Sequence, residues 1–288
     1  MSRLLITGGT GYLGSVLVRQ SAALGYNVVA TYFTQAPPTL AGVTWLPLDV
    51  RDPHAVAATL ASTRPDRVIH TAFQQSGPDL LSITAHGAGH VAAAAARVQA
   101  RLIHLSSDVI FDGEAQRAYT EDDPPAPISA YGHAKAQAEA LVAAAHPSAV
   151  SVRTSLIYGF APPDRISRFT LDVASGKIVA QLFTDEYRCP IYVEDLAAAL
   201  LELSSTNYQG ILNIAGADRV SRYQLGTLIA RAWGQDPSSI PAGLSASQSP
   251  PRPRNCTLNI ARAQALLSTP LRGIHAVLRD HGRLLDGG

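Results

Sequence analysis

The stretch PISAYGHAKAQAEAL, residues 127–141, carries Tyr131 and Lys135 four positions apart at the head of an alanine-rich helical pattern. Four residues along a helix bring two side chains onto one face. An ammonium beside a phenol favours the phenolate and lowers the tyrosine pKa from about 10. A shift of ~2 to 3 units, worth roughly 3 to 4 kcal/mol, would suit the phenol to proton transfer. It could then protonate an oxygen as hydride reaches the attached carbon, and a second donor to that oxygen would help. Ser107 is the natural second donor, with Ser106 the adjacent alternative. RLIHLSS (101–107) reads as a strand that ends on both, and ligands of open α/β sheets sit at the carboxyl ends of strands. A surface Tyr and Lys at this spacing is a common accident, so the pair gains its meaning from its company.

That company begins at the first strand, RLLIT (3–7), which runs into GGTGYLGS. Gly9, Gly11 and Gly14 fit G-x-G-x-x-G, and Gly8, Gly11 and Gly14 fit G-x-x-G-x-x-G. Glycines let such a turn bend sharply and approach a pyrophosphate, and the following helix aims its N–H groups at the charge. The motif is weak alone, but here it lies between a strand and a helix, GSVLVRQSAALG (14–25). The second strand, NVVAT (27–31), leads into Tyr32 and Phe33 with no Asp or Glu to hold both ribose hydroxyls, which permits a 2′-phosphate. NADP(H) is therefore the preferred cofactor and NAD(H) the alternative. Asp49, after the third strand, is either a partner for the adenine amino group or an N-cap or turn residue.

These residues must be held by alternating strands and helices. VTWLPL (43–48), DRVIHTA (66–72), RLIHLSS and SAVSVRTS (148–155) are apolar runs of strand length separated by helical patterns. This is the signature of a parallel sheet covered on both faces, an α/β, Rossmann-type doubly wound fold. After residue 158 the rhythm loosens. Helices are expected at 164–175 and 195–203, a strand at 210–216, and a loop at 236–254. The expected organisation is a dinucleotide-binding domain over 1–158, to which 190–216 returns, and a smaller substrate-binding lobe from 159–189 and 217–288.

The 288 residues are 47% hydrophobic and 16% charged, with a net charge of +1. A sizeable core follows, and disorder does not. With no run of Lys or Arg, nucleic acid and anionic membranes are poor partners. No apolar run nears the roughly 18 residues of a membrane span. The opening strand is not a signal peptide. Cys189 and Cys256 stand in unrelated contexts, and the histidines lack metal-ligand spacing, so neither a disulfide framework nor a metal site is expected. The expected location is the cytoplasm.

TGGTGYLG, HLSSDVIFDG, YGHAK and VRTSLIYG, in this order, resemble the extended short-chain dehydrogenase/reductases. The loop TEDDPPAPISAYG and the segment RPRNCTLN (252–259) make the likeness nearest to the dTDP-4-dehydrorhamnose reductase family. The resemblance covers nearly the whole chain. It implies NAD(P)H-dependent reduction of the 4-keto group of a nucleotide-linked deoxysugar, with Ser107, Tyr131 and Lys135 as the catalytic set. The cofactor site implied is Gly8, Gly9, Thr10, Gly11, Tyr12, Leu13, Gly14, Thr31, Asp49, Val50, Thr71 and Ala72, with Tyr131 and Lys135. Phe73, Ser107, Arg188 and Arg252 are the candidates for substrate contact, and a homodimer is implied.

Four departures fall where the sugar is expected. The loop after the fourth strand is short, with Asp79 its only acid. Thr84 replaces an expected asparagine, Leu156 an expected tryptophan, and Glu186-Tyr187-Arg188-Cys189-Pro190-Ile191 a Gln-x-Gly-x-Pro-Thr segment. Arg252 and Arg254 are either a bidentate diphosphate clamp or part of a solvated loop. His70 and His104 are expected to be structural, and Arg153 to anchor the sheet edge. Two other readings compete. A dehydratase would want an Asp-Glu pair where Asp108-Val109 stands, while an epimerase would retain NAD. A cofactor-binding regulatory subunit of another enzyme would have no need of a tuned phenol.

Overall fold

The computed structural model describes residues 2–282. The chain divides into two compact units. The first comprises Met1–Ser107, Ala130–Arg153 and Ala197–Leu212, and the second Asp108–Ser129, Thr154–Leu196 and Asn213–Gly288.

The first unit is built on a seven-stranded sheet. Its strands are β1 (Arg3–Thr7), β2 (Asn27–Tyr32), β3 (Val43–Pro47), β4 (Arg67–His70), β5 (Arg101–Leu105), β6 (Val150–Arg153) and β7 (Gly210–Asn213), in the order β7-β6-β5-β4-β1-β2-β3. Strands β1 to β6 pair in parallel. The order reverses direction beside β1, which places the switch point of a doubly wound sheet at the glycine turn. Helices α1 (Tyr12–Ala23), α2 (Pro53–Thr63), α3 (Gly87–Arg97) and α4 (Ala130–Ala145) cover the faces. Alternation along the strands explains why the sheet is buried on both sides. Leu5, Val68, Leu102 and Ala149 share a core with Val56 and Leu60 of α2, Val91 and Ala92 of α3, and Ala138 and Val142 of α4. Leu4, Ile6, Ile69 and Ile103, the intervening residues, are equally buried. Helix α2 starts at a signal legible in sequence: Asp52 caps the His54 and Ala55 N–H groups, with Pro53 in the first turn.

The second unit holds short two-stranded pairings, helices Arg165–Ala174 and Arg222–Ala232, and two short C-terminal helices, Ala261–Leu266 and Ile274–Asp280. Its boundaries differ from those expected from sequence, chiefly at 108–129. Phe111 stacks on Tyr119 at 4.0 Å, the Tyr119 N–H donates to the Thr257 carbonyl, and the Ser155 hydroxyl donates to Asp108 at 2.7 Å. The stacking orders the segment locally, while the bonds to Thr257 and Ser155 join residues far apart in sequence and tie 108–129 to the second unit without a local pattern to announce it. The strand expected at 210–216 is shorter, ending at Asn213.

Among the described residues no helix is long and apolar enough to cross a membrane, and no group of three or more His, Cys, Asp or Glu could hold a metal ion.

Candidate active site

The first unit gathers Ser107, Tyr131 and Lys135 at the carboxyl edge of its sheet. Ser107 follows β5 and is partly exposed, whereas the Ser106 side chain is 2% exposed and points into the interior. Of the two serines weighed from sequence, Ser107 is the one a ligand can reach. Tyr131 is half-buried in the first turn of α4. Lys135, one turn on, is buried at 3% exposure and donates from Nζ to the Leu105 carbonyl at 2.8 Å. Its ammonium lies 5.9 Å from the centre of the Tyr131 ring and 5.1 Å from that of Phe73, and the two rings are 5.8 Å apart. Burial pushes the Lys135 pKa down to about 7, although the Glu139 carboxylate one turn further along α4 pulls it back upward. Glu139 is itself buried and paired with Arg153 of β6 at 3.0 Å.

Phe73 is 49% exposed, a large apolar side chain left open at this edge. Its backbone is held by the next residue. Thr84 Oγ1 accepts from the Gln74 N–H at 3.0 Å and donates to the Gln74 carbonyl at 2.8 Å. Thr84, one of the four departures, thus fastens the loop that carries Phe73.

The glycine turn fits the pyrophosphate of a dinucleotide. Gly8 has φ +69°, and a Cβ there would stand 2.9 Å from the Ala72 backbone nitrogen; a Cβ at Gly14 would collide with the Gly8 carbonyl oxygen. The start of α1 has no acidic side chain in its first turn, and its N-cap Gly11 offers no side-chain bond, which leaves backbone N–H groups for an anion. Gly11 is exposed, and Thr10 and Tyr12 are partly so. Leu13 is buried in the core. Thr71 Oγ1 donates to the Thr7 carbonyl at 2.7 Å and braces the strand ends beside the turn, next to Ala72.

Three expected cofactor residues are engaged within the fold. Thr31 is 2% exposed, and what it supplies is its carbonyl, which accepts from the Gly9 N–H at 2.8 Å. The first exposed residue after β2 is Phe33. Val50 is buried, its carbonyl 3.0 Å from His90 Nδ1, and it packs against the place a Gly87 side chain would need. Asp49 is a turn residue, not an N-cap, and its Oδ1 accepts from the Arg51 backbone N–H at 3.0 Å. Arg51 grips it with Nε and Nη2, at 3.0 and 2.7 Å, and holds its carboxyl below the usual carboxylate range. Arg51 also pairs with Asp79 at 3.1 Å and lies 5.4 Å from the Phe33 ring centre. Sequence reasoning passed over Arg51, because an arginine for this end of the sheet is sought directly after β2. The signal available was its place two residues beyond Asp49.

The second unit holds the remaining candidates. Arg188 does not face a ligand. It is buried at 2% exposure, donates to the carbonyls of Tyr187 and Pro253 at 2.8 and 3.0 Å, and pairs with Glu186 and Asp108 at 3.2 and 3.7 Å. Enough carboxylates and carbonyls surround the guanidinium to replace its hydration, which is why it can be interior. Arg252 is the accessible arginine, 45% exposed, bidentate to Glu186 at 2.6 and 3.1 Å and 5.5 Å from the Phe183 ring centre. Burial pushes the Glu186 carboxyl upward, but Arg252, Arg188 and Arg222 outweigh it and hold it low. With Glu186 and Asp108 set against three arginines, this cluster retains one net positive charge.

Known proteins resemble this chain over nearly its whole length. The family model for the RmlD substrate binding domain matches residues 2–281. The chain is 32% identical over 289 residues to the dTDP-4-dehydrorhamnose reductase of Mycolicibacterium smegmatis, covering 96% of this chain and 84% of that one. It is 33% identical over 284 residues to the enzyme of that name from Mycobacterium tuberculosis, covering 94% and 89%. A crystal structure of a hypothetical dTDP-4-dehydrorhamnose reductase from Sulfolobus tokodaii superposes with a TM-score of 0.80 at 26% identity, over 94% of this chain and 97% of that one. The chain belongs to the RmlD substrate binding domain family.

Proposed function

We propose that this chain is a nicotinamide-dependent reductase of a ketone, the 4-keto group of a nucleotide-linked deoxysugar. The observation that carries the reading is that Lys135 Nζ, 5.9 Å from the Tyr131 ring centre, donates to the carbonyl of Leu105, two residues before Ser107, at the carboxyl edge of a parallel sheet whose first turn is rich in glycine. The reductase names of the relatives support the same reaction class.

When bound, the nicotinamide supplies a hydride. The chain's residues do the rest. Tyr131 donates its phenolic proton to the carbonyl oxygen, and Ser107 Oγ donates a hydrogen bond to that oxygen. Lys135 keeps one N–H on the Leu105 carbonyl and has others for the ribose hydroxyls, while its charge favours release of the phenolic proton. The N–H groups of α1 and the turn at Gly8 hold the pyrophosphate. NADP(H) is the preferred cofactor in this reading, since no acid follows β2. Arg252, 45% exposed in a cluster with an excess of positive charge, is the candidate for the substrate's phosphates.

The test is loss of reduced-nicotinamide absorbance with dTDP-4-keto-6-deoxy sugars, using NADPH and NADH separately, with Tyr131→Phe as control. Turnover that falls by ~10² or more in the variant supports the reading. Turnover unchanged in Tyr131→Phe removes the catalytic assignment. Tight NADP(H) binding without turnover of any carbonyl compound turns the assignment toward a regulatory subunit.

A further inference from the structure

Thr7, His70, His104 and Ser151 stand abreast on β1, β4, β5 and β6, paired in that register. The residues two positions earlier on the same strands, Leu5, Val68, Leu102 and Ala149, pack with Ala138 and Val142 of α4. Side chains two apart on a strand share a face, so this polar row lies on the side that α4 covers. Ser106 continues the β5 series on that face. Lys135 comes down onto it from α4, one turn before Ala138, and its ammonium is bonded to the carbonyl between His104 and Ser106.

A strand interior facing helices calls for Val, Ile or Leu, as the neighbouring rows show. Two imidazoles and hydroxyls are unexpected there. The His70 and His104 rings stack with centres 5.5 Å apart, and His70 Nδ1 lies 2.6 Å from Thr7 Oγ1. The other polar atoms of the group, His70 Nε2, both His104 nitrogens and Ser106 Oγ, are buried without a hydrogen-bond partner. Buried polar groups left unpaired are costly and rare, so several on one face beside a buried ammonium require a cause. The nearby charge is the Lys135 ammonium, which donates to the Leu105 carbonyl; the imidazoles and the Ser106 hydroxyl are not hydrogen-bonded to it, and act on it through space as neutral dipoles.

We propose that His70, His104 and Ser106 form a neutral polar bed beneath Lys135, standing in for the water that burial strips from its ammonium, and so act as positioning residues for the Ser107–Tyr131–Lys135 site. The use made of Lys135 rests on the reductase reading; the bed itself is a property of the folded chain. Burial, aided by the Lys135 charge, pushes His70 down to about 3 and His104 well below its ordinary value, so both rings stay neutral while Lys135 titrates. The other ionisable groups around the lysine are Tyr131 and Glu139 of α4 and Arg153 of β6, the last two paired with each other. From α3, which also packs on α4, His90 is engaged at the Val50 carbonyl.

The chain suits a direct test, because Lys135 and Lys177 are its only lysines. Labelling lysine with 13C at Cε gives two resonances, and Lys177, whose side chain is 73% exposed, is the internal reference. The Lys135 midpoint is read by pH titration in the wild type, His104→Leu, His104→Gln and Ser106→Ala. His104→Leu should lower it by about one unit or more, and His104→Gln should restore most of the loss, with Lys177 unmoved. A midpoint unchanged or raised in folded His104→Leu overturns the bed. Should the leucine variant fail to fold, Ser106→Ala decides, with a drop of about half a unit expected and no drop overturning the proposal. The titration needs no substrate. A wild type that titrates as expected yet reduces no ketone defeats the reductase reading and leaves the bed standing. One that turns over ketone with an unmoved Lys135 in His104→Leu defeats the bed alone.

Discussion

The ammonium of Lys135 is 5.1 Å from the centre of the Phe73 ring, on a loop that Thr84 fastens through Gln74. An aromatic face beside a partly desolvated cation attracts it by about 0.5 to 2 kcal/mol. Phe73 therefore steadies the lysine while offering its outer half to a ligand. Phe73→Ala should raise KM for the sugar ~10-fold and leave kcat within about threefold, because the ring touches no reacting atom. Phe73→Tyr should retain both. Steady-state kinetics at saturating cofactor separates the two parameters.

Glu139 and Arg153 form a buried pair, 7% and 3% exposed along their side chains. Removing one partner leaves a charge without compensation. Glu139→Gln should cost about 3 to 5 kcal/mol of unfolding free energy, read by chemical denaturation. It should also lower the Lys135 midpoint, since this carboxylate is what raises it.

Lys135 has a pKa of about 7 in the folded chain against 10.5 for an ordinary lysine. Between these values the unfolded chain binds more protons, so stability rises with pH across that window and is lowest below it. Lys135→Met should abolish turnover yet stabilise the fold by about 3 to 5 kcal/mol at pH 6, with the gain vanishing above the unfolded value. Thermal unfolding at several pH values measures this directly.

Arg188 and Arg252 share Glu186 but should fail differently. Arg188→Leu removes a buried guanidinium that pairs with Asp108 and Glu186 and donates to the carbonyls of Tyr187, Pro253 and Arg254, and should destabilise by about 3 to 5 kcal/mol. Arg252→Ala leaves Glu186 with Arg188 and Arg222, so unfolding should shift little while KM for a nucleotide sugar rises by ~10-fold or more. Denaturation and kinetics run on both variants distinguish the roles.

The parts of the site that follow from local pattern were legible in the sequence. Tyr131 and Lys135 declare themselves by helical spacing, Ser107 by its place at a strand end, and the pyrophosphate cradle by glycines between a strand and a helix. Arg188 was not legible as an interior residue. A guanidinium is buried only where acceptors surround it, and its acceptors come from Asp108, Glu186 and the segment near 253. Arg51 was hidden for the same reason, since its partners are Asp49, Asp79 and the Phe33 ring on three different segments. The assignment of 108–129 to the second unit depends likewise on Tyr119 reaching Thr257.

The two units are threaded from six alternating segments of the chain, three to each, with five crossings between them. The edge strand β7, which completes the sheet beside β6, comes from residues 210–213. During synthesis, then, the Rossmann sheet cannot close when its first six strands emerge. It must wait through the making of Thr154–Leu196, much of whose own unit is encoded later still. Neither unit can be cut out as one continuous fragment. A ribosome-bound nascent chain ending before residue 210 would leave β6, a strand that the full chain pairs with β7, unpaired on one side and open to association.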